Sequence, residues 1–146
     1  LLDKGAAWAK ENGKSEEEVL NTRLAEDMYP LARQVQITSD MSKGAIARLS
    51  GVAAPAMEDN EVTFAELQER IAKTLRFIES VDAQQLEGDE SREIVVKGRN
   101  REMKFTAHSY VTVFAVPNFY FHITTAYNIL RHLGVNIGKM DFIGGN

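Results

Sequence analysis

The sequence predicts an all-α fold, an antiparallel four-helix bundle with a small β-hairpin between the third and fourth helices. Apolar residues return at three- and four-residue steps through long segments of the first half, the spacing of helices with one buried stripe. The segment from about 107 to 133 is apolar on nearly every side, which suits a helix at the centre of a bundle. Between them "EIVVKGRNREMKF" reads as two short strands around Gly98 and Asn100, too small to fold without support.

The opening "LLDKGAAWAKENGK" reads as the second half of an amphipathic helix, so the first helix is expected to be truncated at its N-terminus. Leu1, Leu2, Ala6 and Ala9 share a face, and Asn12 and Gly13 supply a stop. Ser15 before three glutamates caps a short second piece, because acidic first-turn residues suit the positive helix end. Pro30 is expected in the first turn of a long helix reaching about Ser50, where its missing N–H costs nothing. Its stripe is Leu31, Val35, Thr38, Met41, Ala45 and Leu49, and Gly51 ends it. Thr63 and Glu66 form a capping box for the next helix, whose inward face is Phe64, Leu67, Ile71, Leu75 and Ile78. Glu66 with Arg70 and Glu69 with Lys73 are expected as pairs on its wet face, and Arg23 with Asp27 as a surface pair. Pro117 should kink or split the last helix. The tail "VNIGKMDFIGGN" reads as an irregular strap, with Ile137, Met140 and Phe142 packing on the bundle or on a second copy.

A length of 146 residues fits one hydrophobic core, so residues 1–146 are read as a single domain. A net charge of −4 offers phosphate backbones no broad positive field, which argues against a nucleic-acid partner. With no cysteine, disulfides, thiolate ligands and a cysteine nucleophile are excluded, and a cytoplasmic location is expected. The most apolar run, "YVTVFAVPNFYFHI", is too short to span a bilayer, so no membrane partner is expected. No Gly-rich phosphate loop or nucleotide fingerprint is present.

The candidate site lies in "NFYFHITTAYNILRHLG", residues 118 to 134. Asn118 and His122 are four apart on one helical face, and Thr125 and Ile129 continue that line. Polar groups in an apolar wall must find partners, because each one buried unpaired costs about 1–3 kcal/mol. The bland reading is a satisfied core histidine. His132 is ten residues on, about 15 Å along a helix. His108 lies across Pro117, so neither is expected to join His122.

These residues also resemble a family. "HITTAYNILRHLG" is similar to the last helix of the DinB/YfiT-like superfamily, in which a histidine is followed nine residues later by arginine and twelve later by glycine. Together with "RLAEDMYPLARQVQ" and "GKMDF", it resembles an uncharacterised domain-of-unknown-function family of that superfamily over essentially the whole chain. The resemblance implies a four-helix bundle. Many members hold a divalent metal with one histidine from the second helix and an H-x-x-x-H pair on the last, and some are thiol-dependent transferases or hydrolases. This chain departs from that pattern. Asn118 stands where the first histidine of the pair belongs, and the second helix offers Gln34 or Gln36 instead. One imidazole with neutral amides is a poor site for Zn or Ni, so no tightly bound metal is expected, with His122 the ligand if one binds.

Two functional readings follow. In the first, the protein is a DinB-like bundle whose polar interior site of His122, Asn118, Gln34, Gln36 and Thr125 takes a small-molecule ligand; a divalent-metal-dependent transferase or hydrolase is its sharpest form. In the second, it is a non-catalytic structural homodimer associating through the aromatic surface of the last helix, Phe119, Tyr120 and Phe121, or through the tail.

Overall fold

The protein, a computed structural model, is described over residues 1–98 and 101–144, so Asn100 of the expected turn lies outside the described residues. It is mainly helical with one two-stranded antiparallel sheet, and its helices number more than the four expected.

Helix α1 (Leu2–Glu11) runs antiparallel to α4 (Phe64–Ser80): Gln68 donates to Asp3, and Gly5 rests on Phe64 and Leu130. A Cβ at Gly5 would come within 3.0 Å of Leu130 Cδ2, so glycine sets how closely α1 docks. Helix α2 (Glu16–Leu20) has the expected Ser15 cap, and it buries Val19 and Leu20. Pro30 sits one position earlier than expected. It is the N-cap of α3 (Leu31–Ser50), in extended backbone, and its carbonyl accepts the first helical bond from Gln34 N–H at 3.0 Å. Gly51, at φ 78°, closes α3 in the left-handed conformation that glycine tolerates. The capping box of Thr63 and Glu66 opens α4 as expected.

Leu31, Val35, Phe64, Leu67, Ile129 and Leu130 form the centre of the main core. The inward faces of α3 and α4 are more polar than their periodicity predicts. Gln34, Gln36, Ser39 and Lys43 are buried on α3, and Arg70 and Thr74 on α4, whereas Leu75 is 50% exposed. The expected wet-face pairs are therefore corrected: Arg70 turns inward, Glu66 serves the helix cap, and Glu69 pairs with Arg76 at 2.9 Å. Arg23 donates to the Met28 carbonyl.

Strands β1 (Glu93–Lys97) and β2 (Glu102–Thr106) pair antiparallel, with Ile94 opposite Phe105 and Val96 opposite Met103. Ile94 and Val96 point inward and join Tyr110, Ala115 and the C-terminal end of α3 in a second core. The hairpin is thus supported by helices, which an isolated pair of strands requires.

The last helical stretch stays continuous through Pro117. Helix α5 (Ala107–Ser109) leads into a π turn over Tyr110–Ala115 and then α6 (Val116–Leu133). The wider turn makes room for a ring that cannot donate to the preceding turn, so the expected kink is absorbed as a π segment. Helix α6 and the π turn before it lie antiparallel on α3: Gln34 meets His122 of α6, and Arg48 meets Tyr110 of the π turn. It is not central, since Val116, Tyr120 and Phe121 are exposed. The tail holds a short helix, α7 (Lys139–Ile143), where an irregular strap was expected. Ile137 is buried and Phe142 packs edge-on against Tyr127, but Met140 is exposed. No described helix is long and apolar enough to cross a membrane.

Candidate functional site

His122 projects from α6 toward α3 and is half-buried. Its Nδ1 lies 2.7 Å from Oε1 of Gln34, a residue 1% exposed. Gln34 Nε2 donates to the Tyr29 carbonyl at 2.9 Å, which fixes the amide orientation and turns its oxygen to the imidazole. An amide oxygen only accepts, so the proton sits on His122 Nδ1 and the lone pair on Nε2. Burial, and after it the nearby Arg33 charge, hold the imidazole below its ordinary value of 6.5, favouring the neutral ring. No described side chain donates to Nε2, and no described buried side-chain nitrogen or oxygen lacks a partner, so Nε2 reaches solvent. The Phe121 ring stands edge-on to the imidazole at 5.2 Å.

The other candidates lie apart from this pair. Asn118 donates to the Phe114 carbonyl one turn back at 2.6 Å, and Thr125 likewise to Phe121 at 2.6 Å. Gln36 donates to Glu61 at 2.8 Å and accepts from Arg33 at 3.1 Å, which places it in a different network. His108 lies beside Glu90 at 3.6 Å on the surface, and His132 is exposed.

That second network centres on Arg70, whose side chain is 1% exposed. Its guanidinium donates to Asp40 at 2.8 Å, Glu61 at 2.8 Å, the Glu58 carbonyl at 3.0 Å and Ser39 at 3.3 Å, and it pairs with Asp59 at 3.0 Å. Lys43 reinforces Asp40 at 2.9 Å, and Arg33 pairs with Asp59. Desolvation opposes ionisation of Glu61, but hydrogen bonds from Arg70, its own backbone and Gln36, with the Arg70 charge, outweigh it and leave the carboxyl below its ordinary 4.5. The network clamps the segment between α3 and α4 onto the bundle. Sequence reading missed it because "EDNE" at 58–61 reads as a solvated loop; an arginine at the inward i+3 spacing from Phe64 and Leu67 was the available signal.

An apolar groove of about 560 Å³ lies on another flank of α3, its lining including Leu2, Val35, Ile71, Leu75, Phe119 and Ile123. His122 does not line it.

The three-histidine metal centre implied by the resemblance does not fit these residues. His122 brings one imidazole and Gln34 a neutral amide already bonded at both ends, and no cluster of three His, Asp or Glu suited to a metal occurs among the described residues.

The mainly helical fold is DinB-like. The chain belongs to the family described as "Domain of unknown function (DUF1993)", which matches residues 1–143. It is also similar to the crystal structure of a DinB family member protein from Shewanella denitrificans, at 40% identity over 99% of this chain and 82% of that one, with a TM-score of 0.90. No curated relative matches the chain.

Proposed function

We propose that this DinB-like protein binds a small molecule at His122, which presents the Nε2 lone pair as hydrogen-bond acceptor or general base. The observation that supports it is the chain from the Tyr29 carbonyl through Gln34 to His122 Nδ1, which leaves one ring nitrogen uncommitted and the ring neutral. An imidazole held by its far nitrogen keeps one tautomer and one orientation, as catalytic and ligand-binding histidines require. Asn118, Gln36 and Thr125 take no direct part in this reading. A ligand with an O–H or N–H donor is the chemistry that a bare Nε2 selects. In the four-helix description, α1, α3, α4 and α6 are the principal helices, and the site lies on the α3–α6 pair.

Titrating ¹⁵N-labelled protein with phenol, a small apolar molecule with one O–H donor, tests the proposal. A saturable shift of the His122 Nε2 resonance, absent in His122→Ala, is expected. No shift at millimolar phenol while the exposed His108 and His132 respond would overturn it.

A second reading, self-association as a homodimer, draws on the exposure of Tyr120 at 55% and Phe121 at 57% on the outer face of α6.

A further inference from the structure

We infer that the outer face of α6 and its π turn is the surface on which a second copy of this chain docks, the two α6 helices crossing antiparallel about Tyr120. This rests on the self-association reading above and names its face and geometry.

From Phe105 to Leu130 the chain carries no Asp, Glu, Lys or Arg. Val113 is 66% exposed, Val116 44%, Tyr120 55% and Phe121 57%. At 3.6 residues per turn Val116, Tyr120 and Thr124 fall on one line, with Pro117 and Phe121 beside it, opposite the face that His122, Ala126 and Ile129 turn toward α3. The four apolar side chains expose on the order of 400 Å², the size of the largest, often functional patch on a monomer. That is about half of the 800 Å² per side of a stable interface, and Pro117, Thr124 and Asn128, all exposed, flank it.

The charge pattern selects the occupant. A phosphate backbone or an anionic bilayer surface would be met by lysines and arginines, and this face has none. A foreign partner of opposite charge finds no complement on an uncharged face. A second copy needs no such complement. Two molecules of net charge −4 repel through their acidic surfaces, and an uncharged face is where they approach at least cost. A two-fold axis through Tyr120 sets Val116 of one copy against Thr124 of the other, making the patch self-complementary. Phe121, edge-on to His122 at 5.2 Å, carries this interface to the margin of the proposed site.

The chain has no cysteine, so introduced thiols report contacts without background. Sedimentation equilibrium at about 100 μM, well above the micromolar affinities of ordinary interfaces, is expected to give a dimer that Tyr120→Glu converts to monomer and Tyr29→Glu, at another exposed tyrosine, does not. Val116→Cys mixed with Thr124→Cys under mild oxidation is expected to give the mixed disulfide in preference to either symmetric one. A wild-type monomer at that concentration overturns both the inference and the self-association reading. A dimer that survives Tyr120→Glu and gives no mixed disulfide leaves self-association standing and removes this face from it.

Discussion

Arg70 and His122 both bring a polar side chain against α3, one from α4 and one from α6, and their surroundings differ. Four of the five Arg70 N–H groups have direct acceptors, in Asp40, Glu61, the Glu58 carbonyl and Ser39, and Asp59 lies 3.0 Å from the terminal nitrogen that donates to Asp40. His122 spends one nitrogen on Gln34 and leaves the other facing solvent. Acceptors surround the Arg70 guanidinium, and a network of this kind acts on stability and geometry. The His122 pair leaves an atom at the solvent boundary.

The largest expected effect is therefore at Arg70. Arg70→Met should lower the unfolding free energy by about 3 kcal/mol, the low end for breaking a buried ion pair because Asp40 and Asp59 are partly exposed. Urea denaturation measures it, and a loss under about 1 kcal/mol would place Arg70 with ordinary surface pairs. His122→Ala should cost less, about 1–2 kcal/mol, by leaving Gln34 Oε1 without a donor. Unchanged or improved stability would sharpen the contrast by showing a polar pair kept at stability's expense.

Acid should separate the two regions as well. The Glu61 carboxyl is held below 4.5, so its contribution is present above that value and is lost as pH falls through the lowered one. His122, held below 6.5, contributes fully above 6.5, and that contribution declines as pH falls through its lowered value. Stability measured against pH should show the Glu61 limb flattened in Arg70→Met and the His122 limb flattened in His122→Ala. Identical profiles in all three proteins would contradict both assignments.

The smallest effect is expected at Asn118, whose amide only returns to its own helix. Asn118→Ala should change stability by less than about 0.5 kcal/mol and leave the His122 resonances in place. A moved His122 resonance would put Asn118 back in the site.

These effects track what was legible in the chain. Helix ends and stripes were readable because caps and apolar spacing are local: Ser15, Thr63 and Gly51 mark their boundaries wherever the helices pack. His122 was legible as a candidate because a lone histidine in an apolar helix must find a partner; spacing points to Asn118 for that partner, and only the resemblance brings in Gln34 or Gln36 on the facing helix. Asn118 misled because a short polar side chain can bond its own backbone, an alternative that spacing cannot reveal. Four-residue spacing from Glu66 points Arg70 to the wet face, and its partners Asp40, Asp59 and Glu61 are brought to it only by the fold. The uncharged stretch ending at Leu130 has the composition of a buried centre, although one side of it meets solvent.

The most direct measurement is the tautomer and titration of His122 by ¹⁵N NMR of the imidazole nitrogens, assigned by comparison with His122→Ala. The expected result is a proton on Nδ1, an unprotonated Nε2, and a midpoint below the ordinary 6.5. A proton on Nε2 in the neutral ring, or a midpoint at or above 6.5, would contradict the account.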